Sequence, residues 1–309
     1  MDISIVIVSW NVADHLRDCL LSIQAESKLR PELETEVVVV DNASKDGTLE
    51  MLVGEFLWVK TISNDKNLGF AAACNQGIAS TTGDYALLLN PDTILFPGAL
   101  HRMVEYMRAQ PPVGAIGPKL LNSDSTVQPS RRRFPTLATG LVESTIIQRW
   151  FPSLPLLRSF YVEDLSDNVI QEVDWLVGAC ILLRRQALHN VGVLDERFFM
   201  YFEEVDWFYR ARALGWRAVY LPEAQIIHHY GRSSAQDIVR RHSNFNSSKC
   251  KFYAKHWGAP IGLLLRLYLM ITYCLQFLEE AVKLALGHKR ELRLERLRLL
   301  MGVLRTGLR

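Results

Sequence analysis

The strongest constraint on the fold is a series of short, mostly apolar runs that alternate with helical patterns in the first 90 residues. The runs are Ile3–Val8, Glu36–Asp41, Trp58–Ile62 and Tyr85–Leu89, and the clearest helical stretch between them is Phe70–Ala79. Strands that are apolar on both faces and alternate with helices are typical of a parallel sheet covered on both sides. The sequence therefore predicts an α/β fold with a Rossmann-like, mostly parallel sheet and helices on both faces.

Polar residues collect where these predicted strands end. They are Ser9-Trp10-Asn11, Asp41-Asn42, Asn64-Asp65 and Asn90-Pro91-Asp92. In open sheets of this kind, ligands bind beyond the carboxyl ends of the strands. We therefore expect a ligand site along this edge.

The middle of the chain has weaker patterns. Residues 129–155 contain three arginines and several prolines, which predicts loops and short helices. Strand character returns at 173–183, followed by a helix over 202–214 and strands over 217–221 and 225–229.

An acidic trio surrounded by aromatic residues lies at the start of the predicted helix. Glu203, Glu204 and Asp206 follow Phe199-Met200-Tyr201-Phe202 and precede Trp207. A helix start needs only one such residue, and an apolar surround raises the pKa of a carboxyl group so that it can serve as a general base near neutral pH. Elsewhere in the chain a lone carboxylate, Asp92, follows an apolar strand and can hold a divalent cation.

The charge distribution and the cysteine content predict the cellular location of the protein. Residues 288–309 carry a net charge of +5, so the remainder carries −3. A basic tail of this kind favours an anionic membrane surface or nucleic acid, of which we expect the membrane and not nucleic acid. Five dispersed cysteines without a CxxC pair, and no visible signal peptide, predict a reducing, cytoplasmic location.

The tail is predicted to be helical and amphipathic. Within the apolar run Ile261–Leu278 and just beyond it, a polar stripe is formed by Arg266, Tyr273, Gln276, Glu280 and Lys283. The run is near the lower limit for crossing a bilayer. The stripe favours helices on the membrane surface, with packing on the body, contact with another subunit in a homo-oligomer, or a true span as alternatives.

Six motifs in register resemble the family-2 inverting nucleotide-sugar glycosyltransferases of GT-A fold, in particular their rhamnosyltransferase-like branch. The motifs are Ser9-Trp10-Asn11, Val40–Gly47, Asn67–Asn75, Leu89–Asp92, Trp175–Ala179 and Phe202–Asp206, and the resemblance covers residues 3–234. It implies a GT-A catalytic domain over residues 1–240, with a nucleotide-sugar half up to about residue 120 and an acceptor half over 121–240. Residues 241–309 would form the helical extension.

The resemblance implies roles for the residues at the strand ends. Asp41 would accept a hydrogen bond from the imide N–H of a pyrimidine base. Other donor contacts would come from Ser9, Trp10, Asn11, Asn42, Asn67, Gly69, Phe70, Asn75 and Asn90. The purely structural alternatives are that the Asp41-Asn42 pair caps a turn and that the segment Asn67–Phe70 only leads from a loop into a helix.

The predicted metal ligands and the predicted general base both differ from the family pattern. Asn90 replaces the first carboxylate of the usual D-x-D motif, so Mg²⁺ or Mn²⁺ would be held by Asp92, by His228 or His229, and by the donor diphosphate. Glu203-Glu204 replaces the usual Glu-Asp pair. We assign the base to Glu204, with Asp206 as the alternative unless it caps the helix or pairs with Arg210 or Arg212.

Acceptor contacts are expected from Trp175 and Gly178, and from Arg132 within the run Arg131-Arg132-Arg133. That run is either a solvated charge cluster or a holder of the phosphates of a lipid-linked acceptor.

The resemblance favours transfer of L-rhamnose from dTDP-rhamnose, with a UDP-sugar as the other donor class. The acceptor would be a bacterial cell-surface glycan, including one linked to polyprenyl diphosphate, at the inner face of the plasma membrane. A methyltransferase or dehydrogenase is disfavoured, because Ser9-Trp10-Asn11-Val12 lacks the glycine-rich turn that those folds need. A non-catalytic nucleotide-sugar-binding or scaffold protein is the remaining rival.

Overall fold

The structure is a computed structural model that describes residues 1–229 and 237–309. Its strands are β1 (Ile3–Ser9), β2 (Thr35–Asp41), β3 (Lys60–Ser63), β4 (Tyr85–Leu89), β5 (Thr93–Leu95), β6 (Val113–Leu121), β7 (Val127–Gln128), β8 (Arg131–Arg132), β9 (Gln171–Val173), β10 (Trp175–Leu176), β11 (Cys180–Arg184) and β12 (Arg217–His228). Its helices are α1 (Ala13–Leu29), α2 (Thr48–Glu55), α3 (Phe70–Ala79), α4 (Ala99–Ala109), α5 (Leu137–Val142), α6 (Ile146–Trp150), α7 (Pro155–Phe160), α8 (Arg185–Val191), α9 (Glu203–Ala213), α10 (Ile238–Trp257), α11 (Ala259–Ala285) and α12 (Arg290–Thr306).

The main sheet confirms the predicted α/β class. Its strand order is β3-β2-β1-β4-β11-β6-β12-β5, with β7 beside β6 and β9 beside β12. The block β3-β2-β1-β4 is parallel throughout, and β12 runs parallel to β6. Strand β11 lies antiparallel between β4 and β6, so β4, β6 and β12 all end at one edge. Strands β1 and β4 are buried along their whole length, which explains their continuous apolar sequence.

Several boundaries differ from the sequence prediction for local reasons. Strand β3 begins at Lys60 because a turn from Phe56 to Val59 precedes it, and Trp58 is exposed. The region 173–183 forms three short strands, with Gly178 between the second and the third. The two strands predicted after residue 217 are one strand, β12, whose register with β6 shifts between Leu221 and Gln225.

The chain divides into two compact units. Unit 1 comprises Met1–Phe134, Tyr161–Phe199 and Glu203–Ser233, of which the last part is described through His229. It contains the sheet and a core of apolar side chains from α1, α4 and the strands. Unit 2 comprises Pro135–Phe160, Met200–Phe202 and Ser234–Arg309, described from Asp237 onward.

Within unit 2, helices α10, α11 and α12 pack on one another. Asp237 caps α10 by accepting a hydrogen bond from the Arg240 N–H. Gly262 of α11 lies against α10, since a Cβ there would be 2.8 Å from the Cys250 carbonyl oxygen. Gly302 of α12 similarly leaves room for the Val239 side chain. Small residues thus let the three helices approach closely.

Candidate functional site

The predicted site residues of the strand ends share one edge of the sheet in unit 1. Ser9 at the end of β1 is the register partner of Asp41 at the end of β2. Asn90 follows β4, and its N–H donates to the Ala179 carbonyl just before β11. His228 ends β12 at the same edge. The parallel topology therefore brings together the residues that the sequence scattered over more than 200 positions.

Two buried polar atoms lie side by side at the ends of β1 and β2. Asp41 is fully buried, and its Oδ2 accepts a hydrogen bond from the Ser44 N–H at 3.0 Å. Its Oδ1 and the Oγ of the fully buried Ser9 have no hydrogen-bond partner among the described residues. Buried polar atoms are nearly always paired in native proteins, so this pair indicates a ligand that both donates and accepts hydrogen bonds.

Asn11 and Asn42 hold the loops around these atoms. Asn11, whose φ of 53° is left-handed, receives the Lys45 N–H on its Oδ1 at 2.7 Å and donates its own N–H to the Ser44 Oγ at 2.9 Å. The Asn42 Nδ2 donates to the Gly69 carbonyl at 3.2 Å, and its Oδ1 accepts from the Asn64 Nδ2 at 3.0 Å. Both amides therefore order loops, while the partly exposed Trp10 borders the same edge.

The segment Asn67–Phe70 is a tightly constrained helix entry. The Asn67 Oδ1 accepts from the Gly69 N–H at 2.9 Å, and the Phe70 N–H donates to the Phe199 carbonyl at 2.7 Å. A Cβ on Gly69 would lie 2.5 Å from that carbonyl oxygen, so only glycine fits. The loop is thereby fixed to the chain that leads into the acidic helix.

Asn75 connects α3 to residues 194–196, which precede helix α9 in the chain. Its side-chain amide donates to the Leu194 carbonyl and to Glu196, each at 2.9 Å, and its Oδ1 accepts from the Leu194 N–H at 3.1 Å. The structure places it as an anchor of residues 194–196.

Asn90, Asp92 and His228 form a buried cluster at the end of β4 and β12. The His228 Nε2 lies 3.4 Å from the Asp92 Oδ1 and 3.3 Å from the Asn90 Nδ2. Its Nδ1 is 2.6 Å from the Oε1 of Gln128, whose Nε2 donates to the Asn122 Oδ1 at 2.8 Å. Because the Gln128 oxygen must then be the acceptor, the proton of the imidazole is assigned to Nδ1, and Nε2 presents its lone pair to the cluster.

The donor set of this cluster fits a divalent cation that shares its coordination with substrate. One carboxylate and one imidazole suit Mn²⁺ in particular. No group of three or more His, Cys, Asp or Glu side chains able to hold a metal occurs in residues 1–229 and 237–309. A cation at Asp92 and His228 therefore needs further oxygen ligands, which a diphosphate provides. The alternative ligand His229 donates its backbone N–H to the Asp92 carbonyl at 2.8 Å, and its Nδ1 is 2.7 Å from the Ser123 Oγ.

The acidic trio opens helix α9, and its three members have different surroundings. Glu203 is buried, and its Oε2 has no hydrogen-bond partner among the described residues. Burial, with a further contribution from the charge of Glu204, raises the pKa of Glu203 well above its ordinary range. Glu204 is half-buried and faces Gly178, whose missing Cβ would lie 3.6 Å from the Glu204 Oε1. The fully buried Asp206 pairs with the Arg210 Nε at 2.9 Å.

The backbone just before the trio is unusual. Tyr201 and Phe202 have φ values of 69° and 67°, in the left-handed region that bulky residues rarely enter. Two consecutive residues of this kind cost about 1–3 kcal/mol each and persist only where their surroundings fix them. In unit 2, the Ser248 hydroxyl donates to the Met200 carbonyl at 2.8 Å, and the ring of Phe202 packs on Phe245.

The arginine run divides into one buried anchor and one stacked cation. Arg131 is buried and ion-paired with Asp167, so it serves the fold. The Arg132 guanidinium lies 4.6 Å from the ring centre of Tyr161 and 5.9 Å from that of Trp175. The Trp175 indole N–H donates to the Arg133 carbonyl at 2.9 Å, which fixes its ring. Arg132 and Trp175 are thus neighbours.

Sequence reasoning missed Gln128, which orients His228, because no local pattern marks a residue that acts through a partner 100 positions away. It named Asn64 and Phe199 but not their contacts with Asn42 and with the Phe70 N–H.

Comparisons with known proteins agree with this geometry. A family model described as glycosyl transferase family 2 matches residues 4–207. An N-acetylglucosaminyl-diphospho-decaprenol L-rhamnosyltransferase of Mycobacterium tuberculosis (strain CDC 1551 / Oshkosh) is 31% identical over 293 residues, covering 88% of this chain and 94% of the relative.

Solved structures show the same fold at low sequence identity. The mannosyltransferase PcManGT from Pyrobaculum calidifontis, in complex with GDP-Man and Mn²⁺, has a TM-score of 0.56 and 15% identity, covering 99% of this chain and 86% of its own. GalNAc-T7 with UDP, GalNAc and Mn²⁺ has a TM-score of 0.56 and 13% identity, covering 74% and 43%.

Proposed function

The chain belongs to glycosyltransferase family 2, and from this premise we propose that it is an inverting enzyme that transfers L-rhamnose from dTDP-L-rhamnose to a hydroxyl of a lipid-linked bacterial glycan. The observation that carries the proposal is the buried Oδ1 of Asp41, which, like the hydroxyl of its register partner Ser9, has no hydrogen-bond partner among the described residues. An imide N–H of a pyrimidine base can donate to that carboxylate, while the serine hydroxyl can donate to a carbonyl of the base. A UDP-sugar has the same imide, so the nucleotide class is a pyrimidine diphosphate.

Asp92 and His228 are the residues that would hold Mg²⁺ or Mn²⁺ together with the donor diphosphate. When bound, such a cation stabilises the negative charge of the departing diphosphate. Gln128 keeps the His228 ring in the orientation in which Nε2 faces Asp92. Mn²⁺ in two solved relatives of the same fold supports this assignment.

Glu204 is the proposed general base. Its carboxylate takes the proton of the acceptor hydroxyl while that oxygen attacks the anomeric carbon from the face opposite the diphosphate. The bond from the anomeric carbon to the phosphate oxygen breaks, and the nucleoside diphosphate leaves with the electron pair. Asp206 is less suited to this role, because it is fully buried and paired with Arg210.

Glu203 and Gly178 complete the surroundings of the base. A protonated Glu203 avoids two like charges side by side and can donate a hydrogen bond. Gly178 presents no side chain to Glu204, which leaves space for an acceptor sugar. We propose that Trp175 and Arg132 border the acceptor, with the aromatic ring packing on a sugar and the guanidinium near its diphosphate.

The acceptor class follows from the lipid diphosphate named for the Mycobacterium relative. We propose a cytoplasmic enzyme that works peripherally at the inner face of the plasma membrane in cell-wall polysaccharide synthesis.

The test compares full-length wild type with Glu204→Gln, using Glu50→Gln as a matched control at an exposed site on α2. Purified protein, Mn²⁺ or Mg²⁺, dTDP-L-rhamnose and a polyprenyl-diphosphate N-acetylglucosamine acceptor are combined, and the anomeric configuration of the product is read by NMR. We expect an inverted product, a kcat about 10²–10⁴-fold lower in Glu204→Gln, and unchanged dTDP binding by calorimetry.

Equal activity of wild type and Glu204→Gln, with loss of activity in Asp206→Asn, would move the base to Asp206. Binding of the nucleotide-sugar with neither transfer nor hydrolysis in any condition would favour the rival role, a nucleotide-sugar-binding scaffold.

A further inference from the structure

Helix α11 has its apolar face outward. Its most exposed side chains are all apolar and follow one another at spacings of one, three or four residues, as on one face of a helix. They are Leu263, Leu264, Leu267, Ile271, Cys274, Leu275, Leu278 and Val282, and Leu286 continues them beyond the helix end. We call this set the outer stripe. From Leu264 to Leu286 it runs about 33 Å.

The polar residues of the same helix turn inward. Tyr273 is buried, and its hydroxyl accepts a hydrogen bond from the Asn246 Nδ2 of α10 at 2.9 Å. Glu280 is buried and pairs with Arg293 of α12 at 2.7 Å and with Arg296 at 3.4 Å. A surface helix in water has the opposite arrangement, with its apolar face toward the core. The predicted polar stripe therefore exists, but its Tyr273 and Glu280 serve helix–helix packing.

Two exposed aromatic side chains lie at the end of a helix that is ion-paired to α11. Trp150 and Phe151 are 57% and 58% exposed at the end of α6. Arg149, directly before them, is ion-paired with Glu279 of α11, which lies beside Leu278. Trp side chains concentrate where apolar and polar phases meet at a membrane surface, so this pair suits the same environment.

The charge of this region matches an anionic surface. Residues 237–309 contain 14 lysines and arginines against five acidic residues, a net charge of +9, whereas residues 1–236 carry −7. The basic side chains near a membrane each add on the order of 1 kcal/mol of attraction to anionic lipid. A symmetric dimer formed through the outer stripe has no such complement, since it would bring two positively charged C-terminal regions together.

We propose that the outer stripe, with Trp150 and Phe151, lies in the interface of an anionic bilayer, with the axis of α11 parallel to the membrane plane. Helix α11 is long and apolar enough to cross a membrane by length and composition alone. However, α12 packs along it through Glu280, and α12 exposes Arg296, Arg298 and Arg305. A span would carry these arginines into hydrocarbon, whereas the in-plane arrangement leaves them in water. The proposal rests on the membrane location given above and not on the sugar chemistry.

The native cysteines provide the test. Cys274 lies on the outer stripe and is exposed, while Cys19, Cys74, Cys180 and Cys250 are buried. A polarity-sensitive maleimide dye on Cys274 of the folded full-length protein should shift to the blue with vesicles of phosphatidylglycerol and phosphatidylcholine, and less with phosphatidylcholine alone. On a Cys274→Ser background, dyes at Leu264→Cys and Leu286→Cys should shift similarly, and a dye at the exposed Glu295→Cys of α12 should not shift.

The matched variants carry three glutamines each. Leu267→Gln, Ile271→Gln and Leu275→Gln together should lower the vesicle partition coefficient by roughly tenfold or more, since each removes exposed apolar surface from lipid contact. The control places glutamine at the exposed Leu21, Val53 and Leu57 of unit 1 and should partition like wild type.

If the variant with glutamines in the outer stripe partitions to vesicles like wild type, the proposal is wrong. It is also wrong if the protein forms a dimer that depends on the outer stripe and has no affinity for vesicles. A shift at Cys274 that greatly exceeds those at both ends, with resistance to alkaline carbonate, would show a span and overturn the in-plane arrangement. Calorimetric dTDP binding by the stripe variant separates the two proposals, because it reports the nucleotide site without lipid.

Discussion

Gly69 offers a quantitative test of the donor loop. Its φ of 92° and ψ of 169° lie in a region that is almost restricted to glycine, and a Cβ there would be 2.5 Å from the Phe199 carbonyl oxygen and 2.8 Å from the Phe199 ring. In Gly69→Ala the backbone strain costs about 1–3 kcal/mol. The methyl group also forces apart the Phe70 N–H and the Phe199 carbonyl, whose hydrogen bond contributes about 0.5–1.5 kcal/mol.

The expected penalty of about 2–4 kcal/mol falls on the conformation of the segment Asn67–Phe70, which we propose contacts the donor. Since 1.4 kcal/mol corresponds to a tenfold change, the full penalty would raise the dTDP Kd roughly 30- to 700-fold, and relaxation of the loop should reduce the rise to roughly 10- to 100-fold. Titration calorimetry with Mn²⁺ measures this directly, and thermal unfolding reports the accompanying loss of stability.

Gly215→Ala is the matched control, because Gly215 has a φ of 84° but no neighbouring atom within 4 Å of a Cβ. It should lower the Tm modestly through strain and leave dTDP binding unchanged. Wild-type affinity in Gly69→Ala, or an equal loss of affinity in both variants, would refute the assignment of this loop to donor binding.

Three further predictions follow from single contacts. Gln128→Leu should raise the Mn²⁺ concentration for half-maximal activity about 10- to 100-fold, because His228 loses the acceptor that orients it; an unchanged metal titration would contradict the cluster. The pKa of Glu203 is raised in the folded protein, so its contribution to stability is present below about pH 4.3 and is lost as the pH rises toward the folded pKa. The urea midpoint of Glu203→Gln should therefore increase relative to that of wild type between pH 5 and pH 9. Urea midpoints with the same pH dependence in both proteins would contradict the raised pKa. Ser248→Ala frees the Met200 carbonyl and should lower kcat several-fold with unchanged dTDP Kd, whereas a changed Kd alone would show a different role.

The strands that the sequence predicted best are those that are buried on both faces. β1 and β4 are buried at every position and mostly apolar because both of their faces are covered, and α3 also begins and ends where predicted. Strand β6 was missed because Gly114, Gly117 and Pro118 interrupt its apolar run. The structure explains two of these: a Cβ at Gly114 would meet the Trp216 side chain, and one at Gly117 the Leu176 side chain.

The sequence could predict which strand ends carry the candidate site, but not the hydrogen bonds that connect its residues. Asp41, Asp92 and Glu204 are visible in sequence because carboxylates after apolar runs are unusual. The partners that position them depend on long-range contacts, as in the pair of Gln128 with His228, which are 100 residues apart. Helical periodicity similarly showed that Tyr273 and Glu280 share a face of α11. It could not show which face turns outward, because that depends on α10 and α12.

The order of the strands has a consequence for synthesis on the ribosome. One side of β4 is covered by β1, but its other neighbour, β11, is translated about 90 residues later, which at 5–20 residues per second is about 5–20 s. During that interval the apolar β4 has an open hydrogen-bonding edge, which is the kind of surface that pairs with other chains. Unit 1 cannot close its sheet until β12 has emerged, so slow translation or missing chaperones should reduce the yield of folded enzyme more than that of a protein built from local contacts.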